Sequence, residues 1–293
     1  MEESETGALF DILEPRTICA PFLFNSPHSG DDYPTEFLAT SRLSLRDLRK
    51  SADLFVDQIF LNVIERGLPL MRAHFPRSFL DVNREPYELD PKMFEGRIPA
   101  FANTRSLRVS SGFGTIARCA GEAQDIYMRR IPIREALQRI DTYYLPYHAA
   151  LRRRLSTIHR KFGRAFLIDC HSMPSGLGTP RTSVPDIVLG DRYGTSCAPE
   201  LIDIVEHSLR GHGLNVHRNQ PYAGGFITEH YGNPVTGLHA LQIEINRSLY
   251  MDETLQRAHS GIGTITDVFM DLADTLVAVD ASLFQPTIAA AAE

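Results

Sequence analysis

The chain has 293 residues, 43% of them hydrophobic and 23% charged, which is typical of a globular protein with a substantial core. A formal charge of -6 and a pI of about 6.0 argue against nucleic acid or an anionic membrane as a partner. No apolar run approaches the roughly 20 residues that span a bilayer, and the acidic N-terminus lacks the order of a signal peptide, so we expect a cytoplasmic protein.

Short apolar runs alternate with longer amphipathic segments along the chain. The runs predict strands at 21–26, 68–73, 79–82, 165–170, 186–189, 214–217 and 239–245. The amphipathic segments predict helices at 44–66, 121–131, 132–161, 195–211 and 252–275. This alternation predicts an α/β fold with a mixed, largely parallel sheet. We expect one domain over residues 1–293, with frayed termini at about 1–15 and 285–293.

Two apolar runs end in a His-Ser pair. FLFNSPHSG contains His28, and AFLIDCHSMP contains His171. Both histidines follow predicted strands, and ligands bind at the carboxyl ends of the strands in sheets of this class. The pattern favours two ligands of one metal, although polar groups that form hydrogen bonds within their own loops remain the alternative.

A nearby carboxylate could complete such a site. A tight turn at Gly30 would let Asp31 or Asp32 face the same point as His28. Asp53, on a predicted helix, is the rival, unless it simply lies on a solvated helix face. Two histidines, one carboxylate and an open position are typical of catalytic zinc sites, although other divalent ions accept these ligands.

Two further carboxylates belong to the same constellation. Asp169 and His171 lie two residues apart on one strand, so both point the same way, and Asp169 could either orient the imidazole or contact substrate. Glu244 interrupts the apolar strand in LQIEINRSLYM, where burying a carboxylate is costly. Glu244 is therefore a candidate general base, with a salt bridge to Arg247 as the alternative.

Candidate anion-binding residues lie in three segments. Asn83 and Arg84 follow a predicted strand, and an arginine binds carboxylates through a planar fork of donors. A local ion pair of Arg84 is the alternative. Arg181 is a second possible anion contact, and the glycine-rich stretch NQPYAGGFITEHYG, which contains His230, suits a flap over a pocket.

The motifs together resemble those of a known family. NSPHSGDDYP, SADLFVDQIF, DVNREP, IDCHSMP, DIVLGDRYG, PYAGGFITEHYG and LQIEINRSLYM, in this order, resemble the N-formylglutamate amidohydrolase family from about Pro21 to Met251. That family is similar in fold to zinc carboxypeptidases and aminoacylases. The resemblance therefore implies a phosphorylase/hydrolase-like fold, with a mixed sheet sandwiched by helices and zinc at the strand ends.

The resemblance also implies roles for individual residues. His28 and His171 would be zinc ligands, Glu244 the general base, and Asn83 with Arg84 the pair that grips the substrate carboxylate. Carboxypeptidases carry a glutamate ligand three residues after the first histidine, where this chain has the shorter Asp31. For the third ligand we favour Asp32, with Asp53 as its rival.

The function that follows is a zinc-dependent amidohydrolase. It would release formate, or another small acyl group, from an N-acylated acidic amino acid such as N-formylglutamate, as in histidine breakdown. One divalent ion, expected to be zinc, is the cofactor. A metallocarboxypeptidase or deacylase with another substrate and a metal-free binding protein on the same fold are the alternatives, and the sequence predicts no oligomeric state.

Overall fold

The computed structural model describes residues 8–121, 124–177 and 184–284. In these residues a seven-stranded sheet is formed by β1 (Phe10–Leu13), β2 (Phe22–Ser26), β3 (Leu70–Ala73), β4 (Ala165–Met173), β5 (Ile187–Gly190), β6 (Val216–Arg218) and β7 (Leu238–Asn246). The strand order is β1-β3-β2-β4-β7-β5-β6. β1 is antiparallel to β3 and β5 to β7, while the other neighbours are parallel. The predicted mixed, largely parallel sheet is confirmed.

The helices within the described residues are α1 (Thr35–Thr40), α2 (Leu45–Arg49), α3 (Val56–Ile59), α4 (Leu107–Ser110), α5 (Ile133–Arg139), α6 (Leu145–Phe162), α7 (Pro199–Gly211), α8 (Phe226–Tyr231) and α9 (Gly261–Ala278). A π-helical stretch, Ile140–Tyr144, joins α5 to α6. Short 3₁₀ segments lie at Leu61–Arg66, Pro91–Met93, Ser175–Leu177, Pro234–Thr236, Arg247–Leu249 and Ala281–Phe284. Of the helices described, none combines the length and the apolar character needed to cross a membrane.

The sheet is covered by helices on both faces. Because side chains alternate along a strand, Phe166 and Ile168 of β4 join a core with α3, α7 and α9, whereas Leu167 joins a core with α5, α6 and α8. Asp169 and His171 have the same parity as Leu167, so they lie on the α6 side of the sheet. Minor ladders outside the sheet pair Phe94–Glu95 with Ile131–Pro132, Cys119–Ala120 with Gln124–Asp125, and Met251–Asp252 with Arg257–Ala258.

The predicted helix 44–66 is wrong as one continuous helix. α2 ends at Arg49, α3 begins at Val56, and Phe55 between them has a left-handed φ of 68°. Asp53 lies in this break, where its N–H donates to the carbonyl of His28 at 3.0 Å. Long-range contacts at Asp53 therefore override the helical periodicity of the segment.

Three other expectations differ from the structure. The segment 79–82 forms turns instead of a strand, and the described part of 121–131 is not helical. The frayed N-terminus does not extend to residue 15, since Phe10–Leu13 pairs with β3. Each segment is too short or too polar for its hydrophobic periodicity to determine its structure. Its structure depends instead on pairing with distant parts of the chain.

Gly30 permits a close backbone approach near the carboxyl end of β2. A Cβ at this position would lie 2.3 Å from the carbonyl oxygen of Phe75 and 2.4 Å from that of His74. We expect Gly30→Ala to lower the free energy of unfolding by about 1–3 kcal/mol, as overpacking does. Urea denaturation checks this, with Gly263→Ala as the control because a Cβ there meets nothing within 4 Å. Equal midpoints for the two variants would contradict the expectation.

Candidate active site

The carboxyl ends of the central strands border a large cavity. β2, β4 and β7 run parallel, so their ends meet at one edge of the sheet, which is where ligands bind in sheets of this class. The cavity has a volume of about 1370 Å³. Its lining includes several side chains singled out from the sequence: His28, Asn83, Arg84, His171 and Glu244.

Two histidines and an aspartate converge at this edge. His28 follows β2, His171 lies in β4, and Asp53 lies between α2 and α3. Nδ1 of His171 is 3.1 Å from Asp53 Oδ2, and Nδ1 of His28 is 3.4 Å from the same oxygen. All three side chains are buried, and one ligand atom from each lies within 4.8 Å of the others. Two imidazole nitrogens and a carboxylate oxygen form a donor set that can hold zinc or another divalent ion.

Each histidine is held by another carboxylate through its second ring nitrogen. Nε2 of His28 is 2.8 Å from Asp81 Oδ1, and Nε2 of His171 is 2.9 Å from Asp169 Oδ2. A carboxylate only accepts, so both rings donate from Nε2, and in the neutral tautomer that a metal ligand requires, each ring keeps a lone pair on the Nδ1 that faces Asp53. Nδ1 of His28 is buried without a hydrogen-bond partner in the described part of the chain. This orphaned nitrogen and the donor set fit a bound metal ion.

The buried carboxylates remain ionised. Burial alone would raise the pKa of Asp53, but the adjacent His171 and His28 side chains hold it well below its ordinary value. Burial would likewise raise the pKa of Asp81, and the charge of Arg84 and the adjacent His28 side chain hold it well below that value. Asp53 is therefore available as an ionised carboxylate, which is the form that binds a divalent cation.

Asp53 is oriented by two partners on the side away from the histidines. Its Oδ1 accepts a hydrogen bond from Ser172 Oγ at 3.0 Å and lies 3.3 Å from Nη2 of Arg247. Arg247 also donates to the carbonyl of Ala52 at 2.9 Å and to Ser172 Oγ at 3.0 Å. These contacts hold the segment between α2 and α3 in which Asp53 lies. They leave Oδ2 of Asp53 facing the two imidazoles.

Glu244 lies beside the histidine of the neighbouring strand. The parallel register pairs Glu244 with His171, and the Glu244 side chain is buried. Its Oε1 accepts a hydrogen bond from Gln242 Nε2 at 2.9 Å. Burial raises the pKa of Glu244 to about 8, against the opposing charges of His171, Arg77 and Arg247. A carboxylate with this pKa can both take up and release a proton near neutral pH.

The structure does not bring Asp31 or Asp32 to the two histidines. Both side chains are exposed, and Asp31 pairs with Arg49 at 3.0 Å. The turn packs on the chain beyond β3, where the Asp32 N–H donates to the carbonyl of His74 at 3.0 Å. The preference for Asp32 is therefore corrected, because the structure places the rival Asp53 with His28 and His171 in the group that could hold a metal ion.

Asn83 and Arg84 line the cavity but also hold neighbouring backbone. Asn83 Oδ1 accepts from the N–H of Ile227 at 2.8 Å, at the start of α8. Arg84 donates to the carbonyls of Phe113 at 2.8 Å and Asn83 at 2.7 Å, and its Nη2 is 3.5 Å from Asp81. The amide nitrogen of Asn83 lies 3.3 Å from Nε2 of His171, so only part of the Arg84 guanidinium remains without a protein partner in the described residues.

The structure does not bring His230 to the cavity. Its side chain is exposed and its ring stacks on Phe226, with centroids 4.9 Å apart. α8 buries Ile227 and Thr228, so its helical period turns the following residues outward. The glycine-rich loop before α8 does line the cavity. Arg181 lies outside the described residues.

Sequence reasoning missed three contacts at the site. Asp81 belongs to the DVNR segment, but nothing in its spacing indicated that it holds His28. Nothing indicated Arg77 either, whose Nη2 lies 2.8 Å from Asp81 Oδ2. Arg247 was considered as a partner for Glu244, whereas in the structure it contacts Asp53.

Comparison with known sequences identifies one family. The sequence profile of the family described as N-formylglutamate amidohydrolase matches residues 20–251. A protein of Pseudomonas putida named N-formylglutamate deformylase is 29% identical over 241 residues, covering 80% of this chain and 83% of that protein. A protein of the same name from Pseudomonas aeruginosa is 25% identical over 285 residues, covering 95% and 97%.

Solved structures agree with the sequence comparison. The crystal structure of an N-formylglutamate amidohydrolase from Ralstonia eutropha JMP134 has a TM-score of 0.85 and 35% identity, and it covers 92% of this chain and 96% of that one. A gene product of Agrobacterium tumefaciens has a TM-score of 0.64 at 17% identity, covering 94% and 96%. The second likeness shows the fold alone.

Proposed function

Because the chain belongs to the N-formylglutamate amidohydrolase family, we propose that it is a metal-dependent hydrolase that cleaves the acyl amide bond of N-formylglutamate. One observation supports this most: the His28–Asp53–His171 group lies beside Glu244, and His28, His171 and Glu244 line a single cavity. The names of the relatives support the choice of substrate.

The proposed cofactor is one divalent ion, most simply zinc. His28 and His171 would hold it through Nδ1, and Asp53 through Oδ2. When bound, such an ion polarises the acyl carbonyl and lowers the pKa of water to about 7. Asp81 and Asp169 keep the two imidazoles in the tautomer that this role requires.

Glu244 is the proposed general base and acid. Its carboxylate accepts a proton from the attacking water as the new C–O bond forms at the formyl carbon. It then gives the proton to the amide nitrogen as the C–N bond breaks, so the products are formate and glutamate. Gln242 holds the carboxylate in place through its 2.9 Å hydrogen bond.

The charge of the cavity suits an acidic substrate. Eight arginine and lysine side chains line it in the described residues, against four aspartates and glutamates: Arg46, Arg49, Lys50, Arg77, Arg84, Arg108, Arg192 and Arg247, against Asp47, Asp81, Glu244 and Glu253. Arg84 is the proposed contact for the α-carboxylate, because it shares Asp81 with His28 and so lies next to the reacting group. The amide nitrogen of Asn83 is also close to the reacting group, since it lies 3.3 Å from Nε2 of His171.

A formate-release assay tests the proposal. N-formyl-L-glutamate should have the highest kcat/KM in a panel that includes N-acetyl-L-glutamate, N-formyl-L-leucine and a peptide with a C-terminal glutamate. Preference for the acetyl substrate or the peptide would instead indicate a deacylase or a carboxypeptidase. A protein that binds these compounds without hydrolysing them would overturn the proposal.

A further inference from the structure

The cations that line the cavity differ in whether a carboxylate already neutralises them. Arg49 is 3.0 Å from Asp31, and Arg192 is 2.7 Å from Glu229. Arg108, on α4, also lines the cavity but makes no side-chain hydrogen bond or ion pair in the part of the chain that the structure describes. A substrate carboxylate could therefore bind the guanidinium of Arg108 without first displacing a carboxylate of the protein.

Arg108 is placed next to Arg84 by the backbone of one residue. The Phe113 N–H donates to the carbonyl of Arg108 at 2.8 Å, and the Phe113 carbonyl accepts from Arg84 Nε at 2.8 Å. The two positive charges are close enough for Arg108 to help lower the pKa of Arg84 to about 10, a shift caused mainly by burial. Two adjacent guanidinium groups that share this wall of the cavity therefore repel each other until an anion lies between or beside them.

Arg46 also lines the cavity without a carboxylate partner. It is exposed, however, and it donates to the carbonyl of Thr254 at 2.6 Å. It contacts neither Arg84 nor Phe113 in the described residues. Arg108 is therefore the better candidate for an anion contact that acts together with Arg84.

We propose that Arg108 binds the side-chain carboxylate of the substrate while Arg84 binds its α-carboxylate. This inference rests on the proposed function. The α-carboxylate is attached to the carbon that carries the reacting amide, so it belongs with Arg84, which is linked through Asp81 to His28. The second carboxylate lies at the far end of the side chain, so it belongs with Arg108, which lines the same cavity but forms no ion pair with Asp81 in the described residues. Arg108 is then a specificity-determining residue that selects an acidic amino acid over a neutral one.

The test compares N-formyl-L-glutamate with N-formyl-L-glutamine, which has a similar shape but a neutral side chain. Arg108→Gln should lower kcat/KM for the glutamate substrate by roughly 10- to 100-fold, mainly through KM, since a hydrogen bond to a charged group is lost. The glutamine substrate should change by less than about twofold, because it never made that charged contact. Arg84→Gln should impair both substrates.

Arg105→Gln is the matched control. Arg105 precedes α4, is exposed and is not part of the cavity lining, so this variant should keep both kcat/KM values. If Arg108→Gln impaired both substrates equally, or neither, the role of Arg108 would be overturned while the proposed function stood. If the unmodified enzyme hydrolysed neither substrate, the proposed function would fail and this inference with it.

Discussion

Replacing Glu244 with glutamine is expected to lower kcat for formate release by roughly 10²- to 10⁴-fold, the range for loss of a general acid–base group. Glutamine has the same shape and still accepts the hydrogen bond that Gln242 donates to Glu244. It cannot accept a proton from water, so the chemical step fails while the pocket remains. KM and the bound metal should therefore stay close to their original values.

Steady-state formate release, together with metal analysis of the same sample, checks this expectation. Glu200→Gln is the control, since Glu200 is an exposed glutamate in the first turn of α7. It should keep full activity. A Glu244→Gln enzyme with more than about a tenth of the original kcat would remove Glu244 from the chemistry, because even modest acid–base catalysis exceeds that factor.

Replacing Asp53 with asparagine should abolish metal binding. Ser172 and Arg247 both donate to Oδ1 of Asp53, so they would hold the single oxygen of asparagine at that position. The amide NH₂ group would then face Nδ1 of His28 and His171, where it cannot act as a ligand. Loss of a group that only orients a metal ligand lowers metal affinity by up to about 100-fold. Because Asp53 would be a ligand itself, we expect its replacement to lower the affinity by more than about 100-fold.

Asp32→Asn is the matched control for that variant. It makes the same chemical change at Asp32, the carboxylate that the sequence favoured as third metal ligand. The side chain of Asp32 is exposed. A chelator-competition titration should show unchanged affinity for Asp32→Asn and the large loss only for Asp53→Asn. A large loss of metal affinity in Asp32→Asn with none in Asp53→Asn would instead support Asp32 as the third ligand.

The two histidines and their strands could be predicted because the signal is local. His28 and His171 each follow an apolar run, and the carboxyl ends of neighbouring parallel strands must meet. The placement of Asp169 beside His171 could be predicted for the same reason, since alternation along one strand fixes both side chains, and the two lie 2.9 Å apart.

Asp53 could not be chosen from the sequence because its position depends on a helix break. The segment around it has good helical periodicity, and the break exists only because distant groups hold it open. The buried Arg247 bonds to the carbonyls of Lys50 and Ala52, and His28 accepts from the Asp53 N–H. None of these long-range contacts leaves a pattern in one sequence.

The proposed substrate contacts are the least predictable part of the site. Arg84 is a candidate through its motif, but Arg108 lies in no segment with a strong pattern. Its placement depends on the chain around Phe113, which brings α4 against the loop after β3. His230 was misplaced because the phase of a six-residue helix, α8, cannot be read from its sequence.

The central claim is that His28, Asp53 and His171 hold one divalent ion together. Anomalous diffraction from a crystal of the purified protein, measured on both sides of the zinc absorption edge, tests it most directly. We expect one strong peak bounded by Nδ1 of His28, Nδ1 of His171 and Oδ2 of Asp53. Peaks elsewhere, or two imidazoles that face different cavities with no ion between them in a fully active enzyme, would contradict it.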